Sequence, residues 1–169
     1  VQAACLALLE PLLEPQFSLF SFAYRPNRNA HDAVATARGL IGTGLVWAVI
    51  ADIHHCFDSL DHGVLLSVLE AVTGPGHLLD LVSAFLKTDV LDWGEVISSE
   101  TGVPQGEALS PLLANVYLDQ LDRHFERTGL SFVRYADDTV VFTRTEAEAR
   151  KALEAMAAFL HAPLRLSLK

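Results

Sequence analysis

VRYADDTVVF, Val133 to Phe142, sets two aspartates side by side inside an apolar run. Without Ala136, Asp137 and Asp138 the stretch reads as two β-strands. Adjacent carboxylates repel, and aspartate is a poor strand former. The economical solution is a tight hairpin, with strands over 131–136 and 138–143 and both carboxylates at the bend. A turn relaxes the strand rule that successive side chains point to opposite faces, so both acids gather near one point. A bound Mg²⁺ would remove their repulsion, because it prefers carboxylate oxygen and keeps waters for substrate phosphates.

Working outward, LVWAVIAD over 45–52 is a second β-rich run that ends on Asp52. Its continuous apolar character predicts a strand buried on both faces. If it lies beside the hairpin, Asp52 faces Asp137 across the sheet. Carboxylates on neighbouring strands hold two metals about 3.5–4 Å apart, an arrangement that activates a 3′-hydroxyl and stabilises leaving pyrophosphate. Each element alone has a plainer reading: Asp-Asp is ordinary turn chemistry, and an Asp after a strand is an ordinary cap.

The rest of the chain supplies helices. Residues 2–13 read as a short amphipathic helix closed by Pro15. Asn29 caps a helix over 30–40 that ends near Gly42 and Gly44. Asp61 begins another, with Leu65, Leu66, Leu69 and Val72 on one side, and GPG at 74–76 breaks it before a helix over 78–87. Residues 89–103, with Trp93, Gly94 and Val96, predict an irregular hairpin. Ser110 as N-cap, Pro111 at the first position and Gly129 as stop frame a long helix. Its apolar face is Leu113, Val116, Tyr117, Leu121 and Phe125. Thr145 caps a helix over 146–160, and 164–168 predicts a last strand. The order indicates an α+β fold, with an antiparallel sheet covered on one face by helices.

The 169 residues are 51% hydrophobic, enough for one domain-sized core. No apolar run approaches a membrane span, so no membrane partner is expected. Glu10 and Glu14 argue against a signal peptide, and the start at Val1 reads as part of a longer protein. Cys5 and Cys56 lack metal-type spacing and suit buried thiols in a reducing cytoplasm. The net charge of −9 is awkward for a nucleic-acid partner but suits carboxylates gathered around divalent cations.

ADIHHCFDSLDH, TGVPQGEALSPLLANVYLDQLD and FVRYADDTVVF, in this order, resemble reverse transcriptases of the group II intron type. FSFAYRPNRNAHDAV upstream is similar to the family's fingers segment. The resemblance covers nearly the whole chain. It implies a polymerase palm plus part of the fingers: 1–45 in the fingers, 46–169 mainly palm, a fingers-type insertion around 74–105, and no thumb. It implies RNA-directed DNA synthesis with two Mg²⁺ ions, for which Mn²⁺ substitutes. RNA template, DNA primer and deoxynucleoside triphosphates are the implied partners, with intron RNA or the integrase Cas1 as alternatives for the biological setting. Catalytically inactive palms retained for RNA or protein binding form the competing class.

The resemblance assigns roles residue by residue. Asp52, Asp137 and Asp138 are the catalytic metal ligands, assisted by the Ile53 carbonyl, with Asp137 the more direct of the pair. Phe57 is the aromatic gate that leaves no room for a 2′-hydroxyl. Pro104, Gln105 and Gly106 line the nucleotide pocket, and Arg25 reaches towards nucleotide phosphate. Two departures stand out: His54 and His55 follow Ile53, and Glu107 adds negative charge beside the pocket.

Overall fold

The structure is a computed structural model that describes residues 2–87, 90–92, 95–97 and 100–169. Trp93 and Gly94 lie outside the described residues, and Val96 is described by its backbone alone. The chain forms two compact units, 2–16 with 55–117 and 17–54 with 118–169.

The first unit is mostly helical. It contains α1 (Gln2–Leu13), α3 (Cys56–Ser59), α4 (His62–Thr73), α5 (His77–Leu86) and a short hairpin of β2 (Val90–Asp92) and β3 (Glu95–Ile97). Asp61 caps α4 by accepting from the Val64 N–H at 2.9 Å. Leu65 and Leu69 are buried, while Leu66 and Val72 are half-buried at the edge of that stripe. The residues before the next helix are stitched to the start of α4. Gly102 N–H donates to the Leu60 carbonyl and Val103 N–H to the Phe57 carbonyl, both at 2.8 Å.

The second unit holds the sheet. Its elements are α2 (Ala30–Gly42), β1 (Trp47–Ala51), β4 (Ser131–Tyr135), β5 (Asp138–Thr143) and α7 (Glu146–His161). The strands run in the order β1-β5-β4, antiparallel throughout. Capping boxes start both helices: Asn29 with Asp32 at α2, and Thr145 with Glu148 at α7. Helix α6 (Ser110–Thr128) gives its first half to one unit and its second half to the other. Its five expected apolar positions are all buried. Gly129 ends it at φ 71, a left-handed geometry that suits glycine.

Four sequence expectations change. Strand β1 is a sheet edge with one covered face: Val49 and Ala51 are buried, but Ile50 is 79% exposed. An apolar run alone does not distinguish a central strand from an edge strand that shows one apolar face. Helices also cover more than one face. Helix α7 packs on β1 and β5, and α2 packs on β4. In a separate cluster, Phe22, Ala33, Val133 and Phe142 are buried together. The last expected strand shrinks to a single bridge between Ile53 and Leu168, because Arg165 at φ 50 interrupts the extended run. Ser110 also differs from expectation, since its hydroxyl donates to the Pro104 carbonyl.

Candidate active site

The three aspartates lie at one end of the sheet in the second unit. Ala51 pairs with Thr139, so the register carries Asp52 level with Asp138. Asp137, expected opposite Asp52, sits one residue further out in the turn. Tyr135 and Asp138 close that turn as the last pair of the hairpin. Ala136, its first residue, has φ 57. A left-handed alanine costs about 1–2 kcal/mol, so the bend is held by its surroundings.

Lys169 pairs with Asp52. Its ammonium donates to Asp52 Oδ2 at 2.7 Å, and its N–H donates to the Asp52 carbonyl at 3.0 Å. The Asp52 hydrogen bond and charge raise the lysine above its ordinary pKa, and Asp137 and Asp138 add to that shift. The three acids thus share one end of the sheet, and among the described residues Asp52 is the one hydrogen-bonded to that ammonium. Their oxygens are the donors that hard divalent ions prefer, so the set fits Mg²⁺ by chemistry and charge. Among the described residues no three acidic, histidine or cysteine side chains stand close enough to enclose an ion.

Ile53 is buried and bridges to Leu168, beside the Asp52 carbonyl that Lys169 already uses. His54 donates its backbone N–H to the Ser167 carbonyl at 2.8 Å. His55 is left-handed at φ 44 and stands 3.8 Å from Asp58.

The nucleotide-pocket candidates fall in the first unit. Phe57, half-buried on α3, is tied through its carbonyl to Val103, next to Pro104. Gln105 Nε2 donates to Asp58 Oδ1 at 3.2 Å. Gly106, at φ 85, has open space where a side chain would start. Glu107 is exposed, and its carbonyl accepts from Ser110 N–H at 3.3 Å. These residues are brought together within one unit, as the aspartates are within the other.

Arg25 is buried. Its Nη1 donates to the Ser18 and Ser21 carbonyls, and its guanidinium lies 5.3 Å from the Phe17 ring centre. Arg28 similarly donates to the Leu19 carbonyl at 2.7 Å and lies over Phe22. Both arginines shape the loop that carries them.

Sequence reasoning missed several partners. Asp122 lies in phase with the buried stripe of α6, one turn from Leu118 and Phe125; a charge on an apolar face was the available signal. His62 is buried, with Nε2 at 2.7 Å from the Gly102 carbonyl. Nothing in local sequence marked that pairing.

The family description "Reverse transcriptase (RNA-dependent DNA polymerase)" matches residues 1–169. The group II intron-encoded protein LtrA of Lactococcus lactis subsp. cremoris is 34% identical over 140 residues, covering 83% of this chain and 23% of LtrA. Protein YkfC of Escherichia coli K12 is 30% identical over 135 residues, covering 78% of this chain and 35% of YkfC. Telomerase from Candida albicans, solved with a fragment of telomeric RNA, has a TM-score of 0.79 at 12% identity, covering 100% of this chain and 33% of that one. That likeness concerns the fold alone. A partial Cas6-RT-Cas1–Cas2 complex gives a TM-score of 0.51 at 25% identity, covering 95% of this chain and 30% of that one. The chain thus spans a minor part of each relative's length.

Proposed function

Because the chain belongs to the reverse transcriptase (RNA-dependent DNA polymerase) family, we propose that it carries the catalytic core of an RNA-directed DNA polymerase. The observation that carries this reading is the sheet register, which brings Asp52 level with Asp138 at the turn that also carries Asp137. Three carboxylates at one end of a sheet supply the oxygen donors and negative charge that divalent ions need.

Asp52, Asp137 and Asp138 are the proposed ligands of two Mg²⁺ ions, with the Ile53 carbonyl assisting and Mn²⁺ as a substitute. Two such ions held by these carboxylates would supply Lewis-acid chemistry, activating the primer 3′-hydroxyl and neutralising charge on the leaving pyrophosphate. The protein's own work is positioning. The β4–β5 hairpin and β1 are stiff strands that fix where the carboxylates begin. Phe57 selects against the 2′-hydroxyl by occupying its space, and Pro104, Gln105 and Gly106 form a backbone-lined nucleotide subsite. Arg25 contacts phosphate in this scheme only after releasing the Ser18 and Ser21 carbonyls.

By resemblance, 1–45 belong to the fingers and 46–169 mainly to the palm, with a fingers-type insertion around 74–105. The substrates are an RNA template, a DNA primer and deoxynucleoside triphosphates. Higher identity to the intron-encoded relative favours intron RNA as the biological partner. The likeness to the Cas6-RT-Cas1–Cas2 complex supports Cas1 as the second reading. A cytoplasmic location fits both settings.

Primer extension on an RNA template tests the activity. Asp137→Asn should abolish Mg²⁺-dependent synthesis while the fold is retained. Undiminished synthesis by that variant would overturn the assignment. A folded wild-type protein that never extends a primer would favour an inactive binding module.

A further inference from the structure

Arg134 and Asp122 are both fully buried, with no exposed side-chain surface. Arg134 Nε lies 2.8 and 3.1 Å from the two Asp122 carboxylate oxygens, and Nη2 lies 2.6 Å from Oδ2. The remaining nitrogen, Nη1, donates to the Ala136 carbonyl at 2.8 Å. The backbone of Arg134 is fixed as well: its N–H donates to Phe20 at 2.8 Å, and its carbonyl accepts from Phe22 at 3.0 Å. One side chain thus joins α6, the edge of β4 and the turn that carries Asp137.

A buried ion pair is a poor device for stability alone. Two apolar side chains of similar volume usually serve as well, because desolvating two charges offsets their attraction. What an apolar pair lacks is a third donor aimed at the turn. A lysine offers charge without the planar fork that grips a carboxylate and reaches further. The turn also needs an anchor. Ala136 sits at φ 57, and among the described residues the Asp137 carboxylate makes no hydrogen bond. Backbone placement is therefore what sets that carboxylate.

We infer that Arg134 is a positioning residue for the proposed reaction: clamped by Asp122, it holds the Ala136 carbonyl and through it the Asp137 carboxylate. This rests on the reading of Asp137 as a metal ligand. Asp122 supplies the countercharge that lets a guanidinium sit there. Burial pushes its carboxyl above the ordinary range, while Arg134 pulls it back.

The test compares Arg134→Met/Asp122→Leu, Arg134→Lys and Asp137→Asn with the unaltered protein. Melting is recorded alongside primer extension, with kcat, the KM for deoxynucleotide and the half-saturating Mg²⁺ concentration as readouts. The Met/Leu variant should melt cooperatively, because the buried charges leave together. Its kcat should fall by about a hundredfold, the scale expected from a displaced reacting group. The KM for deoxynucleotide should stay within about twofold, and half-saturation should move to higher Mg²⁺. Arg134→Lys should shift both readouts the same way. A folded Met/Leu variant with unchanged kcat and Mg²⁺ dependence overturns the inference. So does loss of cooperative melting in both Arg134 variants, which would make the pair a folding element only. If Asp137→Asn itself remains active, the proposed metal site fails instead.

Discussion

Gly102→Ala is the sharpest perturbation of the proposed nucleotide subsite. A Cβ there would stand 3.0 Å from the Asp58 carbonyl oxygen and 3.3 Å from its carbonyl carbon and Cα. These are main-chain atoms, and they cannot rotate away. Gly102 also has φ +90, so alanine adds backbone strain of about 1–2 kcal/mol. Relieving the clash means loosening the Gly102–Leu60 or Val103–Phe57 hydrogen bond, each 2.8 Å and worth roughly 0.5–1.5 kcal/mol net. The sum is about 1.5–3.5 kcal/mol, or a fall in Tm of roughly 5–10 °C for a chain of this size. Gly106→Ala is the internal control. It shares the positive φ, at +85, but its Cβ would meet nothing within 4 Å. Strain alone predicts a fall of roughly 3–6 °C. Differential scanning calorimetry of both variants separates contact from strain. Equal shifts, or a milder Gly102→Ala, would refute the packing of this segment on α3.

Two other outcomes follow from named side chains. Burial and Arg127 lower the His124 pKa, so the folded state holds fewer protons than the unfolded chain just below the ordinary histidine value. Stability should therefore drop as pH falls through that value, and His124→Phe, keeping the stack on Phe159, should flatten the drop in melts recorded between about pH 7 and 5. Phe57→Ala should open space beneath the sugar and reduce discrimination against ribonucleotides by about tenfold or more in single-nucleotide incorporation.

Much of the fold was legible because its signals are local. Asn29, Asp61, Thr145 and Gly129 mark helix ends by chemistry that needs no tertiary partner, and all four act as read. The hairpin was legible for the same reason, since two acids inside an apolar run leave little alternative to a turn. The register of Asp52 against Asp138 was not, because pairing depends on which residues of β1 and β5 meet. Nor was the exposure of Ile50, since apolarity alone does not say what covers a strand face. Arg134 carries no local mark of its burial; only its pairing with Asp122, twelve residues away, explains a guanidinium in the interior. Lys169 reaches Asp52 across 117 positions, beyond any spacing rule.

The most direct test of the proposed metal site is a crystal structure grown with Mn²⁺, read by anomalous scattering. Manganese bound by Asp52 and Asp137, with the Lys169 ammonium displaced from Asp52, is the predicted result. Manganese absent from these carboxylates at saturating concentration, with Lys169 still paired to Asp52, would contradict it.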